Sequence, residues 1–479
     1  MANTIKIGNI EASAVMIGNS AVSAVYIGST KIYPSGGTVD YPKQYLTFEV
    51  VDGGNITIKA SNANVAKTIQ YSTDNGSTWT SLTTSTTAQE LGGTLNVGDK
   101  VLVKGTNTTY GTNSYYNTFG GTAKVNVYGN IMSLISGDSF ANSKTLTANY
   151  TFIKLFNSYT NLLSAENLIL PATTLKYYCY NDMFNSCTSL TTAPELPATT
   201  LAENCYDSMF YGCTSLVTAP VLPATTLASY CYSYMFSGCT SLVNAPSVLP
   251  ATTLASRCYQ YMFKGCTSLT TAPELPVTTL ASYCYQYMFY GCTKLTSAPT
   301  LPATTLANYC YNGMFQGCTS LTSAPELPAT TLAENCYGYM FYGCKSLTTA
   351  PVLPATTLTE GCYSQMFWGC TSLTSAPVLP ATTLAKYCYA DMFRGCTKLT
   401  TAPELPTTTL ASGCYAGMFT GCSSLNYIKC LATDISASNC LNIWVSGVAS
   451  TGKFVKDASM NDWTTGVNGI PTGWTIVTE

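Results

Sequence analysis

The chain has 479 residues, only 9% of them charged, and a formal net charge of −2. Without a basic cluster, nucleic-acid binding is excluded as the main task, and no apolar run reaches the roughly 18 residues that would insert across a bilayer. There is no histidine, which removes histidine-based nucleophile activation, acid–base catalysis and metal ligation together. No catalytic residue, metal ligand or cofactor is therefore assigned.

Residues 1–33 carry a ten-residue repeat, IKIGNIEASA, VMIGNSAVSA, VYIGSTKIYP. Apolar residues alternating with glycine turns predict small β-hairpin elements, too short for a core of their own. The segment resembles the short leader modules of phage tail and other virion proteins, which implies an anchoring module that docks onto other virion proteins. The start, MANTIKIGNI, lacks the pattern of a secretory signal peptide, so folding is expected in a reducing cytoplasm, where a virion is assembled. Residues 34–40, with PSGG, read as a linker.

Residues 41–130 (YLTFEVV, NITIKA, TIQYST, KVLVKG, KVNVYG between turn residues) predict a small β-sandwich. Ser72 to Trp79 match the S-x-D-x-G-x-T-W box of sialidase propellers, but the match occurs once and reads as a hairpin device. Residues 131–169 are expected to form the N-terminal cap of a repeat array.

From Leu170 a 26-residue phrase, as in LPATTLAENCYDSMFYGCTSLVTAPV, recurs ten times, last from Leu405. A fixed period of that length marks a solenoid. With the first Leu as position 1, positions 10, 11, 14, 15 and 18 hold Cys, Tyr, Met, Phe and Cys, as in Cys205, Tyr206, Met209, Phe210 and Cys213. Positions 8, 9, 12, 13 and 16 vary. Both sets step as i, i+1, i+4, i+5, i+8, which predicts a helix of about three turns with its constant face inward. Thr200 with Glu203 reads as a capping box, Gly212 as the stop, and T-S-L-T-x-A-P as a brief strand ending near position 24.

The run C-x2-L-x2-A-P-x-L-P followed by Y-x2-M-F-x2-C resembles the BspA-type leucine-rich repeat over about residues 150–445. The expected fold is an α/β solenoid of about 11 such repeats, with the array at 170–430 and a C-terminal cap at 431–479. Disulfides are not expected, because positions 10 and 18 would lie about 12 Å apart on a helix. Zinc would want C-x2-C pairs or histidines. The second cysteine slot also becomes Val448 at one end of the array and Tyr159 at the other. That tolerance fits buried, reduced thiols filling a core. Trp463 and Trp474 are expected in the C-terminal cap.

Information then lies in the variable columns. The outer face carries Tyr211, Tyr230, Tyr234, Arg257, Tyr261, Tyr283, Tyr287, Tyr290, Tyr339, Tyr342, Trp368 and Tyr387, the composition of an adaptable binding surface. The strand side is a rival, lined by Thr and Ser with Glu195, Glu274, Glu326 and Glu404. The function expected is a non-enzymatic virion protein, a tail-fibre or appendage adhesin. Its N-terminus would anchor it, and the array would bind a bacterial surface glycan or protein. A bacterial cell-surface or secreted adhesin and a purely structural virion decoration are the alternatives. A carbohydrate-active enzyme would rest only on the Asp-box and on carboxylates such as Asp138 or Asp182. A homo-oligomer stays open.

Overall fold

A computed structural model describes residues 40–479 and the backbone of four short strands before them. These strands, β1 (Met16–Ile17), β2 (Ser20–Ala21), β3 (Val25–Ile27) and β4 (Thr30–Tyr33), pair antiparallel, β1 with β2 and β3 with β4. The rest of 1–39, with the expected anchoring module and linker, lies outside the described residues.

Alternating apolar residues build the next segment. Strands β5 (Leu46–Asp52), β6 (Ile56–Ala60), β7 (Thr68–Ser72), β8 (Thr80–Thr83) and β9 (Gln89–Glu90) come first. Strands β10 (Lys100–Gly105), β11 (Asn117–Gly121) and β12 (Lys124–Asn130) come next. One sheet runs β12-β5-β10-β7-β8, and a second runs β11-β6-β9. Their apolar faces meet where the rings of Phe48 and Phe119 come to 4.9 Å. The Asp-box is the turn between β7 and β8. Thr78 donates to Asp74 from its backbone N–H at 2.9 Å and from its hydroxyl at 2.7 Å, while Ser72 Oγ accepts the Gly76 N–H at 2.9 Å.

The array contains no helix. Among the described residues the only α-helix is α1 (Ser133–Ser136), and the expected helical arm is a ribbon of consecutive tight turns. In the copy that begins at Leu196, the N–H groups of Cys205, Asp207, Met209, Tyr211 and Cys213 each donate to the carbonyl three residues back, at 3.0–3.4 Å. The N–H groups between them, on Asn204, Tyr206, Ser208, Phe210 and Gly212, donate forward to Ser229, Cys231, Ser233, Met235 and Ser237 of the next copy, at 2.8–3.1 Å. Every fourth residue is left-handed: Asn204 (φ 55°), Ser208 (φ 57°) and Gly212 (φ 68°). A positive φ at the third residue of every second turn is what a type II turn requires.

The departure from a helix is a matter of period. The ribbon repeats every four residues, which makes i, i+1, i+4, i+5, i+8 one face without drift, whereas a helix would turn it by about 80° over eight residues. The expected capping box does not form, because Thr200 pairs with Thr174 in a bridge and its carbonyl accepts the Leu175 N–H at 2.9 Å. On the strand side, as the Ala-Pro pair predicts, pairing shrinks to parallel bridges such as Ser297, Ser323, Thr349 and Ser375 in one column and Thr357 with Thr383 in another.

Inside, two aromatic ladders run the length of the array. Tyrosines at position 11 stack from Tyr180 to Tyr415, as in Tyr206 on Tyr232 at 5.9 Å and 5° between planes. Phenylalanines at position 15 stack from Phe156 to Phe419, as in Phe289 on Phe315 at 5.7 Å and 4°. All 22 cysteines are buried. Those at position 18 do more than fill space: Cys213 Sγ donates to the Phe184 carbonyl at 3.1 Å, and nine other thiols from Cys187 to Cys422 repeat this bond at 3.0–3.2 Å. Thiol burial fits a small residue with one weak donor. Burial also pushes the Cys179 thiol up to about 12, far from the thiolate that alkylating agents need. Iodoacetamide is thus expected to leave the folded protein unmodified at pH 8 and to label every cysteine after denaturation. Missing free thiols in a denatured, non-reduced sample would show cross-links instead.

Because the forward bonds all point one way, the two ends need opposite caps. The first turn offers carbonyls: Thr151 accepts from Tyr110 N–H at 2.8 Å and Leu155 from Phe119 N–H at 2.8 Å. Strand β12 also continues into the array by pairing parallel with β13 (Leu162–Ser164) and β14 (Leu168–Ile169). One hydrophobic core runs unbroken from Leu46 to Trp474, so the segment expected as a small β-sandwich packs as part of the array's N-terminal cap. The last turn offers N–H groups, which reach Val467 O from Val445 at 3.3 Å and Asn468 Oδ1 from Ile443 at 2.6 Å. Beside them lies a parallel sheet of β15 (Tyr427–Cys430), β16 (Lys453–Lys456) and β17 (Thr475–Thr478). Trp463 stacks at 5.9 Å on Trp444, and Trp474 Nε1 donates to the Ala449 carbonyl at 2.7 Å, as cap residues.

Candidate recognition surface

The variable columns stand on the outside of the turn ribbon, and two of them, positions 9 and 13, are left-handed. Tyr230, Tyr234, Arg257, Tyr261, Tyr283, Tyr287, Tyr339 and Tyr387 all have φ between 51° and 60°. An ordinary side chain in that region costs about 1–2 kcal/mol relative to the right-handed one. Glycine would avoid the cost and does so at Gly313, Gly361, Gly413 and Gly417. The tyrosines therefore occupy places where local backbone energy argues against them, and stacking across copies offsets part of that strain.

Eight of the twelve expected residues come together in one patch. Tyr234, Tyr261 and Tyr287 stack in series at 4.6 and 5.0 Å. Beside them, the Arg257 guanidinium lies 5.3 Å from the Tyr230 ring centre and 4.3 Å from that of Tyr283, and donates to Tyr230 OH at 2.6 Å. Tyr283 in turn stacks on Tyr309 at 4.8 Å. Tyr211 tilts against Tyr234, and Tyr290 stands edge-on to Tyr287. Lys264 Nζ sits 5.2 and 5.5 Å from the Tyr261 and Tyr290 rings. A smaller group joins Tyr339, Tyr342 and Trp368, with the Arg394 guanidinium 4.5 Å above the indole. Tyr387 stands apart from both.

Most of these rings are half-buried in their stacks; Tyr211 and Tyr387 are each 41% exposed and Tyr290 37%. Burial and neighbouring tyrosines push the Tyr287 hydroxyl up to about 12. The patch is thus aromatic and stacked, with Arg257 and Lys264 as its cations. Position 12, one of the variable columns, runs as a polar row between the two tyrosine columns, where Gln260 donates to Gln286 at 2.6 Å. On the strand side, Glu404 is tied to Lys429 at 2.9 Å.

Models of the BspA type leucine-rich repeat region match residues 108–243, 156–286, 256–374 and 334–442. The chain belongs to that family. Among solved structures the chain is similar to a leucine-rich repeat protein from Bacteroides ovatus, at 14% identity and a TM-score of 0.37, over 75% of this chain and 95% of that one. No curated protein matches it.

In this BspA-type array the ribbon face also carries a pair of acids near its N-terminal end. Asn181 Nδ2 donates to Asp207 Oδ2 at 3.0 Å, and Lys154 lies 3.7 Å from Asp182. Burial above all, then the charge of Asp182, raises Asp207 to about 7. Burial raises Asp182 as well. Among the described residues no group of His, Cys, Asp or Glu is arranged to hold a metal ion, and no helix is long and apolar enough to cross a membrane.

Proposed function

We propose that the protein is a non-enzymatic recognition scaffold whose ribbon face binds a bacterial surface glycan or protein. In this reading it is carried on a virion appendage, to which residues 1–33 attach it. The observation that supports it is the pre-stacked patch from Tyr211 to Tyr290. Its rings are held in place before any ligand arrives, so little side-chain freedom remains to be lost on binding. Aromatic area on a rigid support with fixed cations is the usual make-up of a binding hot spot.

The test is binding of the fluorescently labelled full chain to a panel of intact bacterial strains. Saturable binding to a few strains is expected, weakened at least ten-fold by Tyr211→Ser with Tyr290→Ser. Both residues lie at position 16, outside the left-handed sites, and are among the most exposed rings, so the unfolding curve should barely move. No binding to any strain, or unchanged binding by the folded double variant, sinks the proposal.

A further inference from the structure

The column at position 9 carries a ring in only some copies, among them Tyr283, Tyr309 and Tyr387. Tyr309 is covered by Tyr283 at 4.8 Å, but the residue one copy before Tyr387 is Gly361. One face of Tyr387 rests on Gly413, where an added Cβ would stand only 2.2 Å from a ring carbon. The other face has no ring upon it, and Lys386 Nζ stands 5.0 Å from the ring centre on its way to Glu360. Position 12 also shrinks here, to Ala390 and Ala416, where earlier copies carry Gln260 and Gln286. The result is a cavity of about 320 Å³ that Tyr387 borders on one side and Tyr339 on the other. About 150 Å³ holds a six-membered ring, so the space takes about two.

Polar groups surround this unstacked ring. Glu360, Asp391 and Gln365 line the cavity, and Asn335 Oδ1 lies over Gly361. Both carboxylates already have a cation, Glu360 with Lys386 at 3.4 Å and Asp391 with Arg394 at 3.0 Å. The site therefore does not call for a metal or an ammonium ligand, and its acids repel phosphate. Carboxylate and amide oxygens that stay free to accept suit a ligand rich in hydroxyl donors. An aromatic face that no other ring covers, with a lysine beside it, suits the C–H face of a saturated ring and its hydroxyls.

We propose that this cavity binds a neutral hexopyranose unit, stacked on Tyr387 and hydrogen-bonded by Glu360 and Asp391. The proposal rests on the reading of the ribbon face as a recognition surface and names its ligand class. It is tested by saturation-transfer NMR of the full chain with the methyl glycosides of glucose, galactose, mannose and N-acetylglucosamine. Transfer from at least one glycoside is expected, with affinity at least ten-fold weaker in Ala390→Gln and in Tyr387→Asn. Gln260 and Gln286 already sit at the first position, and Asn204 and Asn335 at the second, so both variants should fold, as a melting curve will check.

No transfer from any glycoside, or transfer that survives both substitutions, overturns the site. Strain binding that persists and still depends on Tyr211 and Tyr290 would then leave the wider recognition face standing. Transfer lost in both variants, with no strain bound, supports the site and removes the adhesion reading.

Discussion

Replacing Trp444 with alanine is expected to destabilise the protein by about 3–5 kcal/mol and to fray the array from its C-terminal end. The indole is fully buried and closes both internal ladders, lying 6.3 Å from Tyr415 and 6.0 Å from Phe419. Its Nε1 also donates to the Gly469 carbonyl at 2.8 Å, which the substitution leaves without that donor. In a repeat array each copy contacts only its neighbours, so the loss should travel inward from the break. Hydrogen exchange should show protection falling first in residues 414–447 and last near Phe156. A uniform loss along the chain would contradict nearest-neighbour coupling.

Asp207→Asn is expected to stabilise the protein by about 2–4 kcal/mol at pH 8 and by less than half of that at pH 5. Folding raises the carboxyl from its usual 3.8 to about 7, because burial and Asp182 disfavour its charge more than its hydrogen bonds favour it. The native state then holds the proton more tightly than the unfolded chain, so wild-type stability declines as pH climbs from about 4 to about 7. Asparagine removes that dependence. Urea unfolding of both proteins at the two pH values measures it. An equal difference at pH 5 and pH 8 would rule out Asp207 as the group responsible.

Much of the array was legible because core positions cannot drift. Cys205, Tyr206, Met209, Phe210 and Cys213 read as buried from their constancy along the chain, and each is at most 1% exposed. The tolerance of Val448 and Tyr159 in the second cysteine column likewise pointed to packing, although it hid the S–H bond that most copies make. The helix failed because a set spaced i, i+1, i+4, i+5, i+8 fits one face at a period of 3.6 as well as at a period of 4. The distinguishing mark was present in the tenth copy, where Gly413, Gly417 and Gly421 occupy all three left-handed positions. A helix would not carry three glycines at that spacing.

The β-segment was legible as strands but not as a cap. The parallel pairing of Val125 with Leu162 and of Gly129 with Leu168 joins distant stretches and leaves no local signature. At the candidate surface, the sequence showed which residues stand outside but not how they meet. Reading the tyrosines on a helix placed them together on an outer face, and the ribbon stacks several of them one copy upon the next. The same stacking makes the gap before Tyr387 visible only in three dimensions.

The direction of the inter-copy bonds also governs how the molecule responds to pulling. The five forward bonds of each junction lie along the stacking axis, so tension between the two caps stretches them together and they fail as a group. The neighbouring junctions keep their own bonds. Each failure releases one 26-residue copy, about 90 Å of slack chain, before the next junction feels the full load. A load applied between the two caps would be let out in steps rather than dropped.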